Sequence, residues 1–165
     1  MIKPISLPRR DGAGFTLIEL VTVMLIIGIM AFVVLPRFDL LRGYDEIGYR
    51  DKVKSTLEYA RKSAVAQRRN VRVTLAANNL TLTIDNDIPE GAGAGGFPRN
   101  LALPVADGTC GGATNQVCAP ANVTLVGNAV LSFTPLGAPS AAGLYTVTGD
   151  SPYTITVEAE TGYVH

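Results

Sequence analysis

Gly14-Phe15-Thr16-Leu17-Ile18-Glu19-Leu20-Val21-Thr22-Val23-Met24-Leu25-Ile26-Ile27-Gly28-Ile29-Met30-Ala31-Phe32-Val33-Val34-Leu35-Pro36 is the stretch around which the chain is organised. From Phe15 to Leu35 it is apolar except for Thr16, Thr22, Gly28 and Glu19. As a helix rising about 1.5 Å per residue it is roughly 30 Å long, the thickness of a bilayer's hydrocarbon core. Glu19 lies near its start. A carboxylate in hydrocarbon costs about 3 kcal/mol even on the mildest insertion scale, so an acid kept there marks a function.

Charge around this stretch gives its orientation. Residues 1 to 14 carry Lys3, Arg9 and Arg10 against Asp11, a net of +2. Bases before a span hold that end in the cytoplasm, so the bulk of the chain lies on the far side. The 165 residues have no formal net charge, and without the first 14 they carry 11 bases and 13 acids, a net of −2. An ordinary secretory signal would end in a small-x-small cleavage site after the apolar run. Here the run ends in Val33-Val34-Leu35-Pro36-Arg37-Phe38, which has no such pattern.

The motif Gly14-Phe15-Thr16-Leu17-Ile18-Glu19-Leu20, behind a short basic leader and abutting the apolar run, resembles the N-terminus of a type IV prepilin or pseudopilin. The resemblance implies that prepilin peptidase cuts between Gly14 and Phe15, and that Phe15 is then N-methylated. It further implies that Glu19 pairs with the Phe15 ammonium of a neighbouring subunit during filament assembly. Residues 15 and 19 also share a helix face. Pairing within one chain and pairing between chains are therefore both open at this point.

Pro36 has no N–H to donate and crowds the preceding turn, so a kink is expected there. A second helix follows. Tyr49, Val53, Leu57, Ala60 and Ala64 recur on one face, while Arg50, Asp51, Lys52, Lys54, Glu58, Arg61 and Lys62 fill the others. Gly43 and Gly48 weaken its start, and it is expected to run to about Arg68. The cluster Arg68-Arg69-Asn70-Val71-Arg72 suits a solvated helix end, whose cations complement the dipole. It lacks interleaved aromatics for stacking bases, so no nucleic-acid partner is expected.

Beyond residue 70 the period becomes two. Val71, Val73 and Leu75 alternate with polar or small residues, as do Leu80, Leu82 and Ile84, and Asn78-Asn79 between them predicts a hairpin. Asn122–Val126 and Ala129–Thr134 flank Gly127-Asn128, predicting a second. Leu144–Thr148 and Tyr153–Glu158 flank Gly149-Asp150-Ser151-Pro152, predicting a third. Glu160-Thr161-Gly162 turns the chain into a last short strand, Tyr163 to His165, and Leu101 to Val105 is a further candidate. One largely antiparallel sheet with a face on the helix is the expected head.

Cys110 and Cys118 enclose the seven residues Gly111-Gly112-Ala113-Thr114-Asn115-Gln116-Val117, a Gly-rich loop segment. Outside the cytoplasm such a pair forms a disulfide, worth about 2.5 kcal/mol in the chain-entropy model. A metal is the rival, but the spacing fits no zinc pattern and the one histidine is the terminal His165. Asp85-Asn86-Asp87 with Glu90 lacks the register of an EF-hand, and turn chemistry accounts for it equally well. No nucleophile, base and orienting group assemble into a catalytic set, so no enzyme, cofactor or metal is expected.

The expected fold is α+β: a long N-terminal helix, membrane-spanning in its first half and kinked at Pro36, packed on a β-rich head. The expected divisions are a leader, 1–14; a membrane and assembly segment, 15–36; an amphipathic helix, 37–70; and the head, 71–165. The Pro-Arg-Phe at 36–38 and the run Tyr59-Ala60-Arg61-Lys62-Ser63-Ala64-Val65-Ala66-Gln67-Arg68-Arg69-Asn70-Val71 are similar to minor pilins of the mannose-sensitive haemagglutinin type. The ending Thr156-Val157-Glu158-Ala159-Glu160-Thr161-Gly162-Tyr163-Val164 resembles the minor pseudopilins shared by type II secretion and pilus biogenesis. These likenesses imply a minor subunit that waits in a bacterial inner membrane with its head in the periplasm and then joins a filament. Its implied partners are prepilin peptidase, other pilins or pseudopilins, and an inner-membrane assembly platform. A membrane-anchored binding domain that never polymerises is the alternative of a different class, and Glu19 discriminates, since such an anchor has no use for it.

Overall fold

The computed structural model describes residues 14–34, 42–86 and 96–165. The leader before Gly14 and the expected kink at Pro36 lie outside the described residues. The chain divides into two units, 1–39 and 40–165.

The first unit holds α1 (Leu17–Val34). Thr16 caps it: its carbonyl accepts from Glu19 N at 3.1 Å and Leu20 N at 3.2 Å, and its Oγ1 also accepts from Glu19 N, at 3.3 Å. Thr16 is thus the Ncap residue and Glu19 stands at N3, with its carboxylate not engaged in the cap. Thr22 turns its hydroxyl inward to the Ile18 and Glu19 carbonyls, at 3.0 and 2.9 Å, which hides its polarity. The apolar side chains are exposed on every side, with Leu17, Leu20, Met24, Ile27 and Phe32 all uncovered. Among the described residues no helix is long and apolar enough to cross a membrane, and 18 residues of α1 make about 27 Å.

The second unit begins with α2 (Arg42–Gln67), which runs through Gly48 without a break. Tyr49, Val53, Leu57, Ala60 and Ala64 are all buried, as their spacing predicts. The helix ends at Arg68, whose φ of 50° is left-handed. Arg68 N then donates to Val65 O and Arg69 N to Ala64 O, the paired closing bonds of a Schellman motif, here with arginine at the position that glycine usually fills.

Two antiparallel sheets pack on α2, where one was expected. The first has the order β3-β2-β1-β6, with β4 also paired to β2. Its strands are β1 (Val71–Ala76), β2 (Asn79–Ile84), β3 (Arg99–Asn100), β4 (Gln116–Cys118) and β6 (Val130–Phe133). The second, β5-β7-β8, is built from β5 (Thr124–Gly127), β7 (Gly143–Thr148) and β8 (Pro152–Val157). α2 packs against strands of both. Val73, Leu82, Leu131 and Phe133 from one sheet and Tyr145, Val147, Ile155 and Val157 from the other close the core around Leu57.

The β1–β2 hairpin forms, but its turn is Ala77-Asn78, both with positive φ, and Asn79 already pairs with Ala76. The turn is one residue earlier than predicted because Asn78 is held from two sides. Tyr49 Oη donates to its carbonyl at 2.7 Å, and its Oδ1 accepts from Leu125 N at 3.3 Å.

The second predicted hairpin does not exist. β5 pairs with β7 and β6 with β1, so Gly127-Asn128 is a crossing between sheets. A Cβ on Gly127 would lie 2.5 Å from the Tyr145 ring, so this glycine serves close packing. The Asn128 amide replaces a ladder, donating to Ala142 O at 3.1 Å and accepting from Leu144 N at 2.8 Å.

The third hairpin, β7–β8, is present. The chain end adds a single bridge, Val157 to Val164, flanked by reciprocal Thr156–His165 backbone bonds. The candidate strand at Leu101 to Val105 is also corrected. The strand is Arg99–Asn100, after which Leu101 N donates to Leu82 O and Leu103 N to Thr114 O, too irregularly for a ladder.

Candidate functional site

Gly14, Phe15 and Thr16 precede α1 outside the helix and are exposed, with Phe15 at 85%. The Gly14–Phe15 peptide bond is therefore free of helical hydrogen bonding, the condition a protease needs to take a substrate in extended form. Glu19 stands one turn further on. Its backbone N–H is taken by Thr16, and none of the described residues donates to its carboxylate. An acid in the first turn is favoured by the helix dipole, and its side chain remains available to a group from outside.

In the head, Cys110 and Cys118 are bonded, with an S–S distance of 2.05 Å and Cα atoms 5.4 Å apart. Cys110 ends a short 3-10 turn, Gly108–Cys110, and Cys118 ends β4. Asp107 holds the two together. Its Oδ2 accepts from Cys118 N at 3.1 Å and its Oδ1 from Thr109 N at 3.3 Å, while Lys52 of α2 lies 3.0 Å from Oδ1. Burial pushes the Asp107 carboxyl up, but the Lys52 ammonium and the Cys118 and Thr109 donors outweigh it and leave the group below the usual carboxylate range. Burial, with the Asp107 charge adding, pushes the Tyr49 hydroxyl far above its ordinary value. Asp107 and Thr109 also satisfy the outward N–H and C=O of Cys118, which blunts the β4 edge. Between α2 and the 103–108 segment lies an open groove of about 470 Å³, floored by Val117 and walled by Ser55, Tyr59, Leu103 and Val105.

Glu46 was not singled out in the sequence, yet it is only 2% exposed. Its carboxylate accepts the backbone N–H groups of Asp150 and Ser151, so it fastens the β7–β8 turn to α2. Gly149 has no Cβ there because one would collide with the Glu46 carboxylate. Glu46 lies on the same face of α2 as Tyr49, Val53 and Leu57, which marks it as a buried acid, but its partners lie more than 100 residues away in sequence and had no local signature.

The arginine cluster is not free of aromatics, since Phe97 from a distant segment lies under Arg72, with 3.8 Å from Cζ to the ring centroid. The Asp85 carboxylate faces the Asn70 amide at 3.5 Å. Asp87 and Glu90, named with it as calcium candidates, lie outside the described residues. Among the described residues no group of three or more His, Cys, Asp or Glu is placed to hold a metal.

Comparison with known proteins bears on both units. The family described as "Prokaryotic N-terminal methylation motif" matches residues 9–35, and that described as "Type II transport protein GspH" matches residues 51–162. No curated protein sequence matches significantly. Among solved structures, the type IV minor pilin FimU of Pseudomonas aeruginosa is 15% identical, with a TM-score of 0.51 over 72% of this chain and 84% of that one. The minor pseudopilin EpsH from the Type 2 Secretion System of Vibrio cholerae is 13% identical, with a TM-score of 0.50 over 72% of this chain and 92% of that one. At such identities the likeness is one of fold, a helix packed on antiparallel sheets.

Proposed function

Because the chain belongs to the GspH family of type II transport proteins, we propose that it works as a minor pilin or pseudopilin, a structural subunit of a type IV pilus-like filament. The observation that carries this is the order of the two matched segments. An N-terminal methylation motif at 9–35 is followed in the same chain by a GspH head at 51–162. A structural subunit, rather than an enzyme, is what this family and fold supply.

In this reading prepilin peptidase removes residues 1–14 and Phe15 is methylated. Residues 15–36 hold the subunit in the inner membrane with its head in the periplasm. α1 then leaves lipid to pack among the corresponding helices of its neighbours. Its apolar side chains on every side suit both environments, since lipid tails and packed helices are equally apolar. Glu19 sets the register. Its carboxylate has no donor among the described residues and stays available for the Phe15 ammonium that cleavage creates on a neighbouring subunit. The disulfide supports a periplasmic head, because such bonds persist outside the cytoplasm.

A second reading is a minor pseudopilin of a type II secretion pseudopilus that exports folded proteins, favoured by the family's own description. The test is a crosslink in the native cells through Val23→Cys on α1, with the attached chain identified by mass spectrometry. Attachment to a pilus subunit supports the first reading and attachment to a secretion pseudopilin the second. The absence of any prepilin-like chain would return the membrane-anchored binding domain to the front.

A further inference from the structure

Where α1 begins decides the state of the peptide bond before Phe15. The N–H groups of a helix's first turn have no carbonyl of their own helix to meet. If α1 ran one turn further back, Ile18 N–H would fall to Gly14 O and Glu19 N–H to Phe15 O, by the ordinary pairing of each residue with the fourth before it. Gly14 O belongs to the very bond that the prepilin reading assigns to the peptidase. The structure shows the other arrangement. Leu20 N donates to Thr16 O at 3.2 Å, and Glu19 N is shared between Thr16 O at 3.1 Å and Thr16 Oγ1 at 3.3 Å. Neither Gly14 O nor Phe15 O accepts from the first turn. Gly14 adds to this, because glycine is a poor helix residue. A Cβ there would meet nothing within 4 Å, so packing does not ask for the glycine.

We propose that Thr16 is a positioning residue for processing: by capping α1 it keeps the Gly14–Phe15 bond outside the helix, where a peptidase can take it. This rests on the prepilin reading above. Hydrolysis adds water across that bond and leaves a carboxylate on Gly14 and an ammonium on Phe15. The attack needs an open Gly14 carbonyl, and a helical carbonyl is hydrogen-bonded and screened by the next turn. The pull toward a longer helix is strong at a membrane boundary, because hydrocarbon offers no water to an unpaired N–H. Thr16 Oγ1 supplies an acceptor locally and removes that pull. The Thr16 side chain is exposed, and the bond to Glu19 N is the one hydrogen bond it makes among the described residues. Its role is therefore the cap, and packing has no claim on it.

The test follows the full-length chain by pulse-chase in producing cells. It counts only chain recovered with the membrane fraction and reads the half-time for loss of residues 1–14. At a cap position Ser and Asn rank at or above Thr, Gly ranks level with it, and Ala and Val fall far below. Thr16→Ser, Thr16→Asn and Thr16→Gly should be processed within about twofold of the parent rate. Thr16→Val and Thr16→Ala should be processed about fivefold more slowly. Gly and Val form the decisive pair. Thr16→Gly keeps the cap without the side chain, and Thr16→Val keeps the side chain's shape without the cap. Equal rates in all five variants would overturn the proposal. So would a Val variant faster than the Gly variant, which would mean that the peptidase reads the side chain itself. A parent chain that is not cut between Gly14 and Phe15 would remove the prepilin reading and this proposal with it. A parent that is cut, with a flat series of variants, would leave that reading standing and remove only the role of Thr16.

Discussion

α1 and the head are stabilised in opposite ways. α1 exposes apolar side chains on all sides, so its energy is realised in surroundings that it must find. The head buries its apolar side chains internally and spends its polar groups on a few long-range fastenings: Glu46 to the β7–β8 turn, Tyr49 and Asn78 to β5, and Asp107 to Lys52 and Cys118. Substitutions in α1 should therefore change assembly and leave the head's stability alone. Substitutions at the fastenings should do the reverse.

Glu19→Ala gives the sharpest test. The Thr16 cap remains, so α1 still forms, and the head's melting temperature should not move. Incorporation into filaments should fall at least about tenfold, the effect of losing more than 1.4 kcal/mol of charge pairing. Normal incorporation, read by filament immunoblot, would remove Glu19 from assembly.

Replacing both cysteines, Cys110→Ser with Cys118→Ser, should cost about 2.5 kcal/mol and lower the head's melting temperature by roughly 10 °C, seen by calorimetry. Glu46→Ala strands two backbone donors of the β7–β8 turn and should cost about 2 kcal/mol. Hydrogen exchange at Asp150 and Ser151 should rise before the rest of the head opens. Uniform exchange there would mean that Glu46 fastens nothing.

Asp107 gives a pH effect of definite sign. Its folded pKa lies below its unfolded one, so its contribution is full above the unfolded value, about 3.9, and is lost as pH falls through the folded value. Lys52→Met removes the leading cause of the depression, so acid unfolding should begin at higher pH than in the parent chain. The shift should be modest because the Lys52 side chain is half exposed.

Arg68→Gly is the smallest change and the one expected to stabilise. A left-handed arginine costs about 1 kcal/mol, and glycine at the same Schellman position relieves it. A rise of a few degrees in melting temperature should follow.

What could be read in advance follows the same division. The membrane-like stretch, the face from Tyr49 to Ala64 and the Cys110–Cys118 pair each leave a local mark in composition or period. The Thr16-Leu17-Ile18-Glu19 cap was equally legible and needed only the spacing of its two polar residues. The Gly127-Asn128 signal misled because a tight turn and a crossing between sheets ask for the same two residues. The difference lies in Tyr145, which presses on Gly127 from another strand. Glu46 stands on the apolar face of α2, a mark that the reading passed over, but its donors, like Lys52 and Cys118 for Asp107, are brought to it only by the folded chain.

The measurement that bears most directly on the central claim is the intact mass of the protein purified from its native membranes. A chain beginning at Phe15 and carrying one added methyl group is the expected result. A chain still beginning at Met1, or one beginning beyond Leu35, would contradict it.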